Sequence, residues 1–152
     1  MQVLNTVTQI QQLPTKQKRG AVFTMGALHA GHAALISECR RQIGADGQLI
    51  VTIFVNPTQF NDPGDLANYP HSLEHDLHLC DENGVDVVFA PSVDEMYPSN
   101  VAQFSAGDLG AKLEGVHRPG HFDAVATVVY RLLEITQPQV TCFGEKDFQQ
   151  LA

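Results

Sequence analysis

Tryptophan is absent from the 152 residues, and cysteine is limited to three widely spaced positions, Cys39, Cys80 and Cys142. The number is odd and no pair forms C-x-x-C, so neither a disulfide framework nor a zinc knuckle is implied; reduced, buried thiols are expected. Long apolar runs are lacking too, since nothing approaches the roughly 18 residues that a membrane span needs. The N-terminus, Met1 to Leu13, is polar and Gln-rich, without the charged start and apolar stretch of an export signal. A soluble, cytoplasmic protein is the expectation. Basic residues are scarce, nine against seventeen acids, for a net charge of −8. Five of the nine (Lys16, Lys18, Arg19, Arg40 and Arg41) fall in the first 41 positions, and Gln42 to Ala111 holds eleven acids without one Lys or Arg. Such a surface repels a polyanion, which argues against a nucleic-acid partner. A small anionic ligand would have to be met by backbone N–H groups, helix N-termini and the late cations Lys112, Arg118, Arg131 and Lys146.

What is present is enough apolar residue, 43% of the chain, for one ordinary domain with its own core, expected to span residues 1–152. Strand and helix patterns alternate. Ala21 to Met25 is a strand ending at Gly26, and Ala33 to Ile43 a helix with Leu35, Ile36, Cys39 and Ile43 on one face. Leu49 to Val55 is a continuous β-rich run, as in a strand covered on both faces of a parallel sheet. Asn56 to Pro70 is loop by composition. Ser72 is the N-cap candidate of a helix over Leu73 to Asn83, and Val85 to Phe89 is a short strand. Val101 to Ser105 is a weaker strand candidate, followed by a Gly-rich loop from Gly107 to Gly120. Phe122 to Thr136 has the clearest helical period, Val140 to Phe143 is the last strand, and a helix restarts after Gly144. The sum predicts an α/β fold with a mainly parallel sheet, whose ligands bind at the C-terminal ends of the strands. The chain stops at Gln150-Leu151-Ala152 in the second turn of a helix, so a truncated domain is the expectation.

Three segments stand directly after strands. In Met25-Gly26-Ala27-Leu28-His29-Ala30-Gly31-His32, two histidines three apart flank a glycine at a helix entrance, where free N–H groups favour phosphate and imidazoles donate to developing charge. H-x-x-H also offers two metal ligands, but no neighbouring Cys or acid completes a set at metal-site spacing. In Asn56-Pro57-Thr58-Gln59-Phe60, Asn56 and Gln59 supply neutral donors and acceptors suited to hydroxyl and carboxylate groups. In Gly144-Glu145-Lys146-Asp147, glycine and N-terminal amides can approach a nucleotide, and Lys146 is a rare available cation. A fourth stretch, Leu113 to Phe122, is Gly-containing and mobile in character, with Arg118 or His121 able to cover an anion. Each segment alone is also explained by an ordinary cap, turn or solvated helix start.

Taken in order, TMGALHAGH, TIFVNPTQF, NYPHSLEHDL, FAPSVDEMYP, LEGVHRPGHF and FGEKDFQQL resemble the pantothenate synthetase family, within the nucleotidyltransferases that carry HIGH-type motifs. The resemblance implies a Rossmann-like parallel sheet and ligation of pantoate to β-alanine through a pantoyl adenylate. It implies ATP contacts over Met25 to His32 and Gly144 to Asp147, and His32 and His29 as catalytic donors. It places Gln59 and Gln150 on pantoate, with Gln59 near β-alanine, and Asn56, Lys146 and Arg118 as further contacts. Mg²⁺ would be held mainly by ATP oxygens and water, with Asp76 as a possible outer ligand. A homodimer is a family expectation. Phe23, Phe148, Ala124 and His71 depart from the family pattern, standing where Pro, Tyr, Gly and Arg are usual. The later Ser-Arg-containing phosphate loop and the C-terminal lid domain have no counterpart here. The runner-up readings are another nucleotidyltransferase of the same superfamily, or a nucleotide-binding or dimerising module without turnover.

Overall fold

The most apolar stretch of the chain lies at the centre of a parallel sheet. The computed structural model describes residues 1–14, 18–70, 72–99 and 101–152; Lys16 and the His71 departure lie outside them. The chain runs β1 (Gln2–Leu4), α1 (Val7–Gln11), β2 (Arg19–Thr24), α2 (Ala30–Ile43), β3 (Gln48–Ile53), a 3₁₀ turn (Pro57–Gln59), α3 (Pro63–Ala67) and α4 (Leu73–Glu82). It continues through β4 (Val87–Phe89), α5 (Val93–Met96), α6 (Gly107–Gly110), α7 (Glu114–His117), α8 (His121–Thr136), β5 (Val140–Thr141), a second 3₁₀ turn (Glu145–Asp147) and α9 (Phe148–Leu151). Among the described residues the strands form one sheet in the order β1-β4-β3-β2-β5, with every pairing parallel.

Side chains alternate across a strand, so a strand apolar at every position must be covered twice. Leu49 and Val51 of β3 pack with Leu28, Ile36, Cys39, Ile43 and Cys80 on the face carrying α2 and α4. Ile50 and the following Phe54 pack with Ile10, Met96, Val128, Leu132 and Ile135 on the face carrying α1, α5 and α8. Each such side chain contributes about 1.5–3 kcal/mol by leaving water. Arg19 is buried at the start of β2, where Nε donates to Gln48 Oε1 at 2.8 Å and Nη1 to Thr136 O at 2.8 Å. Its charge thus meets the carbonyl end of α8, where the helix dipole favours a cation.

The structure departs from the expected elements in four places. β1 and α1 were not foreseen in the polar N-terminus; α1 is started by a capping box in which Thr6 Oγ1 accepts from Gln9 N and Gln9 Oε1 accepts from Thr6 N. The Val101–Ser105 strand candidate joins no ladder; the Phe104 N–H instead donates to Thr127 Oγ1 at 3.0 Å. The Asn56–Pro70 and Gly107–Gly120 loops contain the first 3₁₀ turn with α3, and α6 with α7. Ser72 occupies the N-cap position of α4, but its hydroxyl makes no capping bond. The strand order reverses at β2, where α2 leaves along one face and α8 returns to β5 along the other, so a crevice opens at the C-terminal ends of β2 and β5.

Candidate active site

The first loop at this edge is built from the end of β2. Thr24 Oγ1 donates to Thr52 O at 2.7 Å and accepts from Gly26 N at 3.2 Å, closing the strand into a turn. Gly26 (φ 83°) and Ala27 (φ 51°) then take the left-handed conformation, which costs an alanine about 1–2 kcal/mol. The Asp76 carboxylate offsets that cost, accepting from Ala27 N at 2.9 Å and Leu28 N at 2.7 Å. Leu28 is buried in the core, and the chain emerges at His29, the N-cap of α2. The helix begins at Ala30, three residues before the apolar period shows, because imidazoles do the capping. His29 Nδ1 accepts from Gly31 N at 3.0 Å and His32 Nδ1 accepts from His29 N at 3.3 Å, with ring centroids 4.2 Å apart.

Both Nδ1 atoms therefore act as acceptors, and each neutral ring carries its proton on Nε2. Burial, foremost, lowers the His32 pKa; His29 and Lys146 push the same way, while Asp76 and Asp147 oppose. The result is a pair of Nε2–H donors at a helix N-terminus, with burial favouring the neutral form of His32.

The second loop is organised by Asn56, which is fully buried. Its Oδ1 accepts from Tyr97 Oη at 2.8 Å and Thr58 Oγ1 at 2.9 Å, and its Nδ2 donates to Gln59 Oε1 at 3.0 Å. Asn56 thus orients Gln59 from beneath, leaving the Nε2 amino group as the donor that Gln59 offers a ligand. The Gln59 carbonyl receives His121 Nδ1 at 3.0 Å and Arg118 Nη2 at 3.4 Å. A carbonyl only accepts, so His121 carries its proton on Nδ1. His121 is 9% exposed, held below the usual imidazole pKa first by burial, and supports Gln59 rather than covering an anion.

The third segment is open to solvent. Lys146 and Asp147 are exposed and form an ion pair at 3.1 Å, close enough to His32 for both charges to act on it. Tyr69 lies within the influence of both Asp76 and Lys146, so the loops after β2, β3 and β5 converge. Gln150 is exposed and stands at the rim of a groove of about 450 Å³ walled by Phe122, Val125, Val129 and Phe143. Its neighbour Gln149, which the sequence did not single out, donates from Nε2 to Leu109 O at 2.9 Å and Lys112 O at 2.7 Å, and accepts from Glu114 N at 3.1 Å. It ties the α6–α7 region to the C-terminal segment. Tyr97 and the Thr24–Thr52 pair were missed as well, since only their tertiary partners mark them. Of the family departures, Phe23 packs edge-on against Phe143 at 6.0 Å, Phe148 is exposed, and Ala124 is half-buried in α8.

Asp76, expected as an outer metal ligand, is 1% exposed, and both oxygens are engaged by the first loop. No cluster of three or more His, Cys, Asp or Glu suited to a metal ion occurs among the described residues.

A family model described as Pantoate-beta-alanine ligase matches residues 2–152. The pantothenate synthetase of Streptomyces avermitilis is 49% identical over 152 residues, covering 99% of this chain and 46% of that protein. That of Aquifex aeolicus is 54% identical over 133 residues, covering 87% of this chain and 46% of the relative. The crystal structure of pantothenate synthetase from Thermus thermophilus superposes with a TM-score of 0.91 at 46% identity, over 99% of this chain and 54% of that one. The pantoate-beta-alanine ligase of Francisella tularensis, complexed with beta-gamma ATP and beta-alanine, gives 0.90 at 41% identity, over 99% and 59%. The chain spans about half the length of the relatives it matches. With the parallel sheet, the histidine pair and a match along nearly its whole length, the chain belongs to the pantoate-beta-alanine ligase family.

Proposed function

We propose that this chain provides the ATP- and pantoate-binding floor of an enzyme that condenses pantoate with β-alanine through a pantoyl adenylate. The observation that carries the reading is the reciprocally capped His29–His32 pair at the C-terminal edge of the sheet, beside Lys146. In the first step a pantoate carboxylate oxygen bonds to the α-phosphorus of ATP as the bond from that phosphorus to the bridging oxygen breaks, releasing pyrophosphate. The two Nε2–H groups donate to phosphate oxygens where charge accumulates, and Lys146 adds a cation. In the second step the β-alanine nitrogen bonds to the acyl carbon, the acyl–oxygen bond to AMP breaks, and the amine loses its proton.

Gln59 Nε2 suits a carboxylate or hydroxyl of pantoate, and the groove bordered by Gln150 has the apolar walls that a dimethyl-substituted chain needs. Met25 to His32 and Gly144 to Asp147 would border the nucleotide, with Arg118 over the Gln59 loop. Mg²⁺ would arrive with ATP, held by phosphate oxygens and water. A homodimer and a cytoplasmic location belong to the same reading; no helix among the described residues is long and apolar enough to cross a membrane.

Pantoate-dependent exchange of labelled pyrophosphate into ATP tests the reading. Exchange with pantoate and not with other small hydroxy acids is expected. Exchange with another acid alone would overturn the substrate, and ATP binding without exchange would favour a binding module.

A further inference from the structure

We propose that Asp76 is a positioning residue for the histidine pair, acting through the backbone of the loop before it; the inference rests on the function proposed above. Asp76 lies in the first turn of α4, 48 residues from Leu28, and is 1% exposed. A buried carboxylate beneath a triphosphate site would repel its ligand if it stood free. Here its oxygens accept from Ala27 N at 2.9 Å and Leu28 N at 2.7 Å, and the Ser72 hydroxyl donates to Oδ1 at 3.3 Å. Its charge is spent on backbone dipoles rather than presented to solvent.

Two consequences follow for the histidines. The first is geometric. Ala27 sits at φ 51°, a conformation a non-glycine residue keeps only when its surroundings hold it. The space is close: a Cβ on Gly26 would lie 3.1 Å from Asp76 Oδ2. Pinning the next two amides fixes the exit direction of the chain, which delivers His29 to the N-cap and lets each Nδ1 find its backbone N–H. The second concerns specificity. With the Gly26 amide on Thr24, those of Ala27 and Leu28 on Asp76, and those of His29 and Gly31 on the rings, only Ala30 N in this run lacks an intramolecular acceptor among the described residues. The phosphates are therefore met chiefly by the two Nε2–H groups, and Asp76 sets which donors the site offers.

The test uses the 152-residue chain and Asp76→Asn, which keeps the shape but turns an NH₂ group toward one of the two loop amides. Long-range nitrogen–proton NMR correlations report the tautomer of each imidazole, and hydrogen exchange reports the Ala27 and Leu28 amides. In the wild type both rings should be Nε2–H and both amides protected, a result that needs no variant. In Asp76→Asn the tautomers should mix, and ATP affinity should fall about 10- to 100-fold, the same scale as the loss when residues that orient metal ligands are removed. Pantoate affinity should change less than about 3-fold, since Gln59 is supported separately through Asn56. Unprotected amides in the wild type, or unchanged tautomers and ATP affinity in a folded variant, would overturn the proposal. Equal losses for ATP and pantoate would do so too, marking a general structural role. A wild-type chain whose imidazoles ignore ATP would instead sink the proposed function, while tautomers and exchange still decide the role of Asp76.

Discussion

Replacing Asn56 by alanine tests how the second loop is built. The side chain is fully buried and makes three hydrogen bonds of 3.0 Å or less, to Tyr97 Oη, Thr58 Oγ1 and Gln59 Oε1. At a net contribution of about 1 kcal/mol each, with the Tyr97 hydroxyl left stranded, the loss should be about 3 kcal/mol. For a domain of this size that lowers the unfolding midpoint by roughly 6–12 °C. Tyr97→Phe is the control, because it removes one donor and leaves Asn56 Oδ1 still accepting from Thr58; it should cost about 1 kcal/mol. Calorimetry on the same proteins reads the functional half. Freed from Asn56, the Gln59 amide rotates, and pantoate binding should weaken about 10-fold in Asn56→Ala while ATP binding is little changed. If Asn56→Ala is no less stable than Tyr97→Phe, or binds pantoate as the wild type does, the account of Gln59 as an oriented donor is wrong.

Acidification should destabilise the fold through His32 and His121, both held below the ordinary imidazole pKa chiefly by burial. Between their folded values and about 6.5 the unfolded chain binds more protons, so stability is full above that window and falls as pH drops through it. A urea midpoint series from about pH 7.5 to 5 checks this, and a His32→Gln, His121→Gln chain should show a flatter profile. Gly115→Ala drives a Cβ into the Gly110 carbonyl oxygen and should cost about 3 kcal/mol, whereas at Gly84 nothing lies within 4 Å and only the left-handed backbone, φ 69°, opposes alanine, at about 1–2 kcal/mol. Comparison of the two urea midpoints decides. Cys39 and Cys80 are buried, with thiols pushed up to about 12, so a disulfide reagent at neutral pH should label half-buried Cys142 first. The other two should react only at the rate of unfolding.

The sequence carries the central elements of the fold because their periods are decided by burial. β3 is apolar on both faces, and α2 and α8 present single apolar stripes, so each was legible without a partner. β1 was not, since three residues on the sheet edge show a pattern only when paired with β4. Val101 to Ser105 failed the other way: β-prone residues do not disclose whether a neighbouring strand is available. In the site, the segments singled out by residue type stand just after the ends of β2, β3 and β5. What sequence could not give was the direction of each polar group. Asp76 reads in the chain as an ordinary first-turn acid, and only its distance to the Ala27 and Leu28 amides shows that it holds the first loop. Asn56 and Gln59 look equivalent in the chain, yet one is buried scaffold and the other a presented donor. Gln149 and Gln150 are adjacent and chemically identical, and packing alone separates clamp from rim.

The central claim is that His32, besides capping α2, is a neutral Nε2–H donor to the phosphates. Titration calorimetry with ATP on the wild-type chain and His32→Ala, paired with thermal unfolding of both, tests it most directly. A hydrogen bond to a charged group is worth about 1.5–3 kcal/mol, so the variant should bind ATP about 10- to 100-fold more weakly. It should unfold within a few degrees of the wild type, because the cap bond it loses is long, 3.3 Å, and exposed. Undiminished ATP affinity, or a collapse in thermal stability that accounts for the loss, would contradict it.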